Sequence, residues 1–259
     1  MSGGKGTSGS FPSSPENRHY FFLSYARAFR SSCRPIMTPE RSNQTTLISC
    51  KSILLTLIAA ASLFQSGCVL GRRSISLSVP APTATKGAGQ VSIGAITDGR
   101  RFENRPGNPS TPSVDGDVNT LSPDQLAQMI GRQRNTYGMA MGDIALPGTD
   151  NVQGKMRELV TTALSKRGYS TGGGANSVSV RVDEFWAWFT PGMWSIGFEA
   201  RVRGSFTVRK GGTSRTFSVL GTGENLGQVA SDRNWQEAYE RAFEDFLKKL
   251  ETELAAAGF

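Results

Sequence analysis

The chain has 259 residues, 37% of them apolar and 9% aromatic, which suits one or two compact domains and argues against a wholly disordered protein. The formal charge is +8, but residues 1–67 carry 7 basic and 2 acidic side chains, whereas residues 68–259 carry 22 and 19. The main body is therefore nearly balanced, which gives no support to nucleic-acid binding. Because His19 is the only histidine and Cys68 the last cysteine, the rest of the chain cannot hold a His-based triad, a cysteine nucleophile or a His/Cys zinc site.

The N-terminal quarter has the character of a targeting signal. Residues 53–64 (ILLTLIAAASLF) are an uncharged run that would be about 18 Å long as a helix, too short to span a hydrocarbon core of about 30 Å and typical of a secretory signal. A start at Met1 leaves a long preface rich in Gly, Ser and Pro, so we interpret residues 1–36 as a disordered extension or a mis-assigned start. A start at Met37 gives a signal peptide of ordinary length over residues 37–67.

Ser66, Gly67 and Cys68 follow the apolar run. This triplet resembles the lipobox of bacterial lipoprotein signals, with Gln65 where leucine is usual. The resemblance implies a diacylglycerol on the Cys68 sulfur, cleavage before it and acylation of the new amino group, and two or more acyl chains anchor a protein stably. Val69 in place of aspartate favours the outer membrane by the enterobacterial sorting rule. The alternatives are an ordinary cleaved signal and a buried apolar helix with a chance cysteine.

A tether over residues 68–90 and a single α/β domain over residues 91–257 are predicted to follow. Val91–Ile96 is the first clear strand, although alternating apolar residues of the tether could add a short edge strand before it. Residues 98–121 are rich in Pro, Gly, Ser and Asn. So long a loop is either functional or disordered.

Three helices are predicted from their start and stop signals. A capping box at Ser122 begins a short helix that ends near Arg134. Asp150 begins a second helix, and Gly168 sits where a C-terminal glycine would end it. Asn234 is the predicted cap of a last helix with a broad apolar stripe.

The segment between the second and third helices has the pattern of an antiparallel meander. Apolar residues recur at even positions in Val178–Trp188 and Ile196–Val208, which indicates a sheet with one buried face. Pairing even with even requires an odd-length turn near Pro191, whereas Gly211–Gly212 suits a two-residue turn. The predicted fold is of the α+β type: an antiparallel meander sheet with helices packed on one face, in the order β-α-β-β-β-α.

Four passages behind the lipobox resemble the YajG family of bacterial lipoproteins: LVTTALSKRGYS, VSVRVDEFWAWF, EARVRGSFTV and GTGENLGQVASDRNWQEAYERAFEDFL. The resemblance covers about residues 68–254 and implies an envelope location and an α/β fold, with no reaction attached. The segment between Asp98 and Asp150 is longer than in the simplest members of that family.

The most unusual local feature of the sequence is a cluster of aromatic residues. The residues around one predicted hairpin tip are Phe185, Trp186, Trp188, Phe189 and Trp194. Because neighbouring strand residues point to opposite faces, this cluster leaves aromatic surface on both faces. We interpret it as a docking patch for a partner, a lipid surface or a hydrophobic ligand. The alternative is that the proline-rich loop or a helix covers the second face.

Charged residues supply weaker candidates. Asp183 and Glu184 suggest a paired-carboxylate hydrolase only if a bulge brings both to one face, and such a bulge would also turn Glu184 outward. Charges at the exit of the first strand, interpreted as solvated, are Asp98, Arg100, Arg101 and Glu103. Arg132 and Arg134, with Tyr137 nearby, either contact phosphate groups of lipids or sugars or are solvated helix-end charges. Gly221–Gly223 indicates a close approach of the last helix.

These observations predict a lipid-anchored bacterial envelope lipoprotein that faces the periplasm and acts as a non-catalytic binding or assembly module. Its partners would be the membrane, through the anchor, and another envelope protein. No catalytic residue, metal or cofactor is assigned. The alternatives are an auxiliary subunit of an envelope ABC-type transport system and a carboxylate- or Ser/Lys-based hydrolase.

Overall fold

The computed structural model describes residues 71–82, 87–134, 139–192 and 194–259. The predicted extension (1–36), the predicted signal (37–67) and the predicted lipidation site Cys68 lie outside the described residues. The described residues belong to one compact unit, Ser66–Phe259. Within these ranges no helix combines the length and the apolar character needed to cross a membrane.

The described residues form an eight-stranded sheet and three helices, which confirms the predicted α+β class. The strands are β1 (Arg73–Ser74), β2 (Gly89–Asp98), β3 (Met129–Arg134), β4 (Ala140–Ala145), β5 (Tyr169–Thr171), β6 (Ser177–Pro191), β7 (Ile196–Lys210) and β8 (Thr213–Gly227). The helices are α1 (Pro123–Gln128), α2 (Val152–Lys166) and α3 (Asp232–Ala256).

The long strand β6 organises the sheet. β7 pairs antiparallel with one edge of β6, and β8 pairs antiparallel with β7, which confirms the predicted meander. The other edge of β6 is shared, because β2 runs parallel to its first half and β3 runs parallel to its second half. β5 lies beyond β2, and β4 and then β1 lie beyond β3. The sheet is therefore mixed, and it contains strands that the predicted order β-α-β-β-β-α lacks.

Helices α2 and α3 bury their apolar stripes against one face of the sheet. The N-cap of α2 is Asn151, next to the predicted Asp150, and Gly168 ends the helix at φ +85°, as predicted. The N-cap of α3 is Ser231, earlier than the predicted Asn234. A Cβ at Gly223 of β8 would overlap the backbone of α3, so the predicted close approach is confirmed.

A β-bulge interrupts β6 at Asp183. Val182 pairs with Gly204, but Glu184 pairs with Arg203, so Asp183 is one residue more than β7 can match. Such an insertion reverses the alternation of side chains for the rest of the strand.

The bulge determines where the aromatic residues of β6 point. Phe185 and Phe189 join the core under the helices, whereas Trp186 and Trp188 belong to a second apolar cluster. Because strand neighbours alternate, this second cluster lies on the opposite face of the sheet. Both faces of this half of the sheet are therefore apolar.

The two hairpins of the meander differ in their agreement with the sequence pattern. Pro191 pairs with Ile196, which makes the first turn even in length, and the predicted odd-length turn is wrong because the bulge has changed the register. Lys210 pairs with Thr213, so Gly211–Gly212 form the two-residue turn that was predicted. Both glycines have positive φ, as a turn of this hand requires.

The chain after α1 is a strand and not a continuation of the helix. Ser122 makes the predicted capping box, but the helix ends at Gln128 and the prediction that it reaches Arg134 is wrong. Gly131 lies so close to β6 that an added Cβ would be 2.8 Å from the carbonyl oxygen of Ala187. Pairing with β4 and β6 has overridden the local helical pattern.

Candidate functional site

The proline-rich loop at 98–121 covers the sheet face opposite the helices. Trp186 Nε1 donates a hydrogen bond to the Pro109 carbonyl at 3.2 Å, and the Phe102 ring meets the Trp186 ring edge-on at 5.9 Å between centroids. Val114 is buried in the same cluster. The loop is therefore the cover that the alternative interpretation of the aromatic cluster required.

The five aromatic residues predicted as a docking patch have different environments. Four of them are buried: Phe185, Trp186, Trp188 and Phe189. Trp194, in the turn between β6 and β7, is 87% exposed. The buried four stabilise the fold, and of the five only Trp194 has an exposed ring.

Arg100 ties the start of the loop to the sheet. Its side chain is buried, although the sequence suggested a solvated charge, and it forms a bidentate ion pair with Asp98. It also donates to three backbone carbonyls, those of Leu126, Met129 and Phe185. Arg101 and Glu103 are exposed, as expected of solvated charges. The local sequence does not indicate that Arg100 joins these segments, because the carbonyls that accept its hydrogen bonds come from three separate parts of the chain.

The two neighbouring carboxylates on β6 are both held by arginines. Asp183, the bulge residue, accepts from Arg181 Nε at 2.6 Å and from the Ser205 hydroxyl. Glu184 is half-buried and lies 3.3 Å from Arg203 Nε. The bulge thus frees Glu184 from the core, as predicted. Each carboxylate is neutralised by its own partner, which is not the arrangement of an acid–base pair.

An arginine-lined cavity lies between the loop and the β3–β4 hairpin. It has a volume of about 610 Å³, and its wall includes Arg105, Arg132, Arg134 and Asp115. Arg132 is on β3, not at a helix end, and is only 6% exposed. Arg134 Nη1 donates to the Pro106 carbonyl at 3.0 Å. The alternative of solvated helix-end charges is therefore wrong for these two arginines, and Tyr137 lies outside the described residues.

Burial shifts the pKa of two charged groups at the cavity wall. Burial, reinforced by the charge of Arg132, lowers the pKa of Arg134. Burial also raises the pKa of Asp143 behind the wall, against the opposing effects of Arg132, the Asp115 backbone N–H and Arg72. Both shifts have the same cause, because charged groups in this region have lost part of their hydration. An anion in the cavity would be attracted to the arginines.

The start of the described chain lies at the cavity end of the sheet. Gly71 N donates to the Met141 carbonyl at 3.0 Å, beside Ala140 of β4, which lines the cavity. Arg73 donates to the Ala230 carbonyl at 3.1 Å and pairs with Asp232 at 3.2 Å, which joins this end to the beginning of α3. Strand directions place the β6–β7 turn at the same end, because β3 and β6 are parallel.

Exposed apolar side chains surround this end. The large apolar residues that are most exposed in the described chain are Met139, Trp194, Leu226 and Val229. Met139 lies beside the cavity, and Leu226 is paired with Gly197 close to the turn that carries Trp194. We refer to these four residues as the apolar rim.

Comparisons with known proteins give a loose likeness in fold. No protein-family model matches the chain, and no curated protein does. A crystal structure of a Xanthomonas campestris protein of the DUF330 family has a TM-score of 0.41 and 12% identity, covering 72% of this chain and 96% of that chain. A hypothetical protein from Chlamydia trachomatis has a TM-score of 0.37 and 10% identity, covering 66% and 99%. The crystal structure of a further uncharacterized protein has a TM-score of 0.37 and 8% identity, covering 71% and 98%.

Proposed function

We propose that this protein is a lipid-anchored bacterial lipoprotein, similar to the YajG family, that acts as a non-catalytic binding or assembly module at the periplasmic surface of the outer membrane. The observation that carries the proposal is the Ser66–Cys68 triplet, which follows the apolar run at 53–64 after a single residue. The combination of a short h-region, small residues and a cysteine is typical of a lipoprotein signal.

The position of Gly71 supports an anchor at Cys68. Three residues span at most about 11 Å, so a lipidated Cys68 would hold the Gly71 end of the domain within that distance of the acyl chains. The cavity and the apolar rim are at the same end of the sheet. A binding role agrees with the chemistry of the described residues, where the carboxylates of β6 are paired with arginines.

The test is the covalent state of the mature protein. Protein purified from the membranes of a lipoprotein-processing bacterium should have an intact mass equal to residues 68–259 plus a diacylglycerol and an acyl chain. Cys68→Ser should abolish that mass and leave the leader uncut, whereas Cys50→Ser, the same change within the leader, should leave it unaltered. Equal processing and equal membrane association of the Cys68→Ser protein would refute the anchor.

A further inference from the structure

One arginine in the wall of the cavity, Arg132, has a buried N–H without an acceptor among the described residues. Arg132 is buried, its Nε has no hydrogen-bond partner among the described residues, and its Nη2 is 3.5 Å from Asp115, the outer limit of a hydrogen bond. Buried guanidinium groups normally find acceptors for their N–H groups. Arg105 also lines the cavity and adds a second positive charge to that of Arg132. A phosphate group would supply both the acceptors and the opposite charge.

The size and place of the cavity indicate which phosphate it takes. A volume of about 610 Å³ is far larger than a bare phosphate ion needs and is in the range of small-molecule sites. The cavity lies at the end of the sheet where the described chain begins at Gly71. A ligand that enters there comes from the surface to which the anchor would hold the domain.

The apolar rim has the composition of a membrane-contacting surface. Trp194 is 87% exposed at the tip of a hairpin, with Leu226 and Val229 at the adjoining end of β8 and Met139 beside the cavity. Tryptophan favours the layer between lipid headgroups and acyl chains, because its ring is apolar and its N–H is polar. Exposed apolar residues at the same end as an arginine-lined cavity match the acyl-chain and headgroup layers of a phospholipid surface.

We propose that the cavity binds the headgroup phosphate of an anionic phospholipid while the apolar rim rests in the interfacial layer of the same membrane. This inference rests on the proposed lipid anchor, which would hold the cavity end against the bilayer. Arg132 is the central donor, and Arg105 closes the site from the loop side.

The first experiment measures binding in solution, where no anchor is needed. The purified full chain in a non-ionic detergent is titrated by calorimetry with dihexanoyl phosphatidylglycerol, dihexanoyl phosphatidylcholine and inorganic phosphate. We expect phosphatidylglycerol to bind at least about tenfold more tightly than either other ligand, because only it combines net negative charge with a glycerol headgroup. Arg132→Gln should weaken that binding about tenfold or more, the loss of a charge-assisted hydrogen bond.

Two further variants keep this result interpretable. Arg105 is exposed and has a φ of +52°, a conformation that asparagine tolerates, so Arg105→Asn removes a cavity charge without burying or straining anything. It should weaken phosphatidylglycerol binding even if Arg132→Gln fails to fold. Arg209 is exposed at the other end of β7, and Arg209→Gln removes the same charge without an effect on binding. Equal affinity for all three ligands, no binding, or equal loss with Arg209→Gln would overturn the proposal.

The second experiment tests whether the apolar rim contacts the membrane. The other tryptophans of the chain, Trp186, Trp188 and Trp235, are buried. Vesicles of phosphatidylglycerol and phosphatidylcholine with brominated acyl chains should therefore quench only Trp194 of the membrane-purified protein, and Trp194→Phe should abolish the quenching. Unquenched Trp194 in a protein that is bound to the vesicles would overturn the proposed orientation. If Cys68 proves unlipidated while phosphatidylglycerol still binds in solution, the anchor fails and the headgroup site stands.

Discussion

Replacing Arg100 by methionine should destabilise the whole domain, because this side chain joins four segments. Its guanidinium is fully buried, pairs with Asp98 and donates to the carbonyls of the α1 end, the β3 start and β6. Methionine has a similar length but no hydrogen-bond donor. Asp98 would therefore lose its counter-charge, and each of the three carbonyls would lose the hydrogen bond that it accepts from Arg100. Breaking a buried ion pair from one side costs about 3–5 kcal/mol. At about 2–4 °C per kcal/mol for a domain of this size, the expected fall in melting temperature is about 10 °C.

The assay is urea unfolding of the full chain, followed by tryptophan fluorescence, with wild type, Arg100→Met and Arg101→Met in parallel. Arg101 is the exposed neighbour, and its replacement should change the free energy of unfolding by less than about 0.5 kcal/mol. Arg100→Lys should recover only part of the loss, because an ammonium group cannot donate in the planar fork that Asp98 accepts. If Arg100→Met lowers the free energy of unfolding by less than about 1 kcal/mol, or if Arg101→Met lowers it equally, the proposed structural role of Arg100 is refuted.

Three further outcomes follow from the packing. Gly223→Ala pushes a Cβ into the backbone of α3 and should cost about 1–3 kcal/mol in urea unfolding, whereas Gly107→Ala, with open space around it, should be neutral. Tyr239→Phe deprives the buried Ile130 carbonyl of its donor and should cost about 1–3 kcal/mol by the same measurement, without a change in the unfolding slope. Burial raises the pKa of Asp143 above 3.8, so its contribution to stability is fully present below pH 3.8 and is lost as the pH rises through the raised pKa. Asp143→Asn should remove this decrease in the free energy of unfolding with rising pH, measured in a series of urea unfolding curves between acid and neutral pH.

The meander shows how far a period-two pattern leads. Alternation located β6, β7 and β8 and the turn at Gly211–Gly212, because those features depend on local residues alone. It failed at the first turn, where an insertion of one residue at Asp183 changes the register of every later residue. Phe185 and Phe189 at the wrong parity were the visible sign of that insertion. The change of parity in the sequence indicates a bulge, but only the pairing with β7 shows that the extra residue lies in β6.

The first helix illustrates the opposite case, in which local signals are correct and incomplete. The capping box at Ser122 begins α1 as predicted, and Met129 and Ile130 continue a helical spacing. They nevertheless form a strand, since β3 fills the edge of β6 that β2 leaves open. The assembled sheet determines which strand edges need a partner. A local stretch of sequence does not contain this information.

The candidate site could be found only in part from the sequence for the same reason. Arg132 and Arg134 were noticed as a pair that suits phosphate, but as helix-end charges they would have been solvated. Their place on β3, with the loop folded over them, is what buries Arg132 and makes a missing acceptor costly. Arg105 and Asp115 belong to the loop, whose path depends on the surface that it covers.

That surface exists because of the bulge, which connects the register of β6 to the chemistry of the cavity. The insertion at Asp183 turns Trp186 and Trp188 away from the helices, and their exposed rings would be unfavourable in water without a cover. The loop provides the cover, with the Pro109 carbonyl accepting a hydrogen bond from the Trp186 indole, and loop residues on both sides of Pro109 form the outer wall around Arg132. A long loop rich in proline, glycine and asparagine is ordered here by two tryptophan side chains. One additional residue in a strand thus creates both the apolar face that holds the loop and the positively charged cavity beside it.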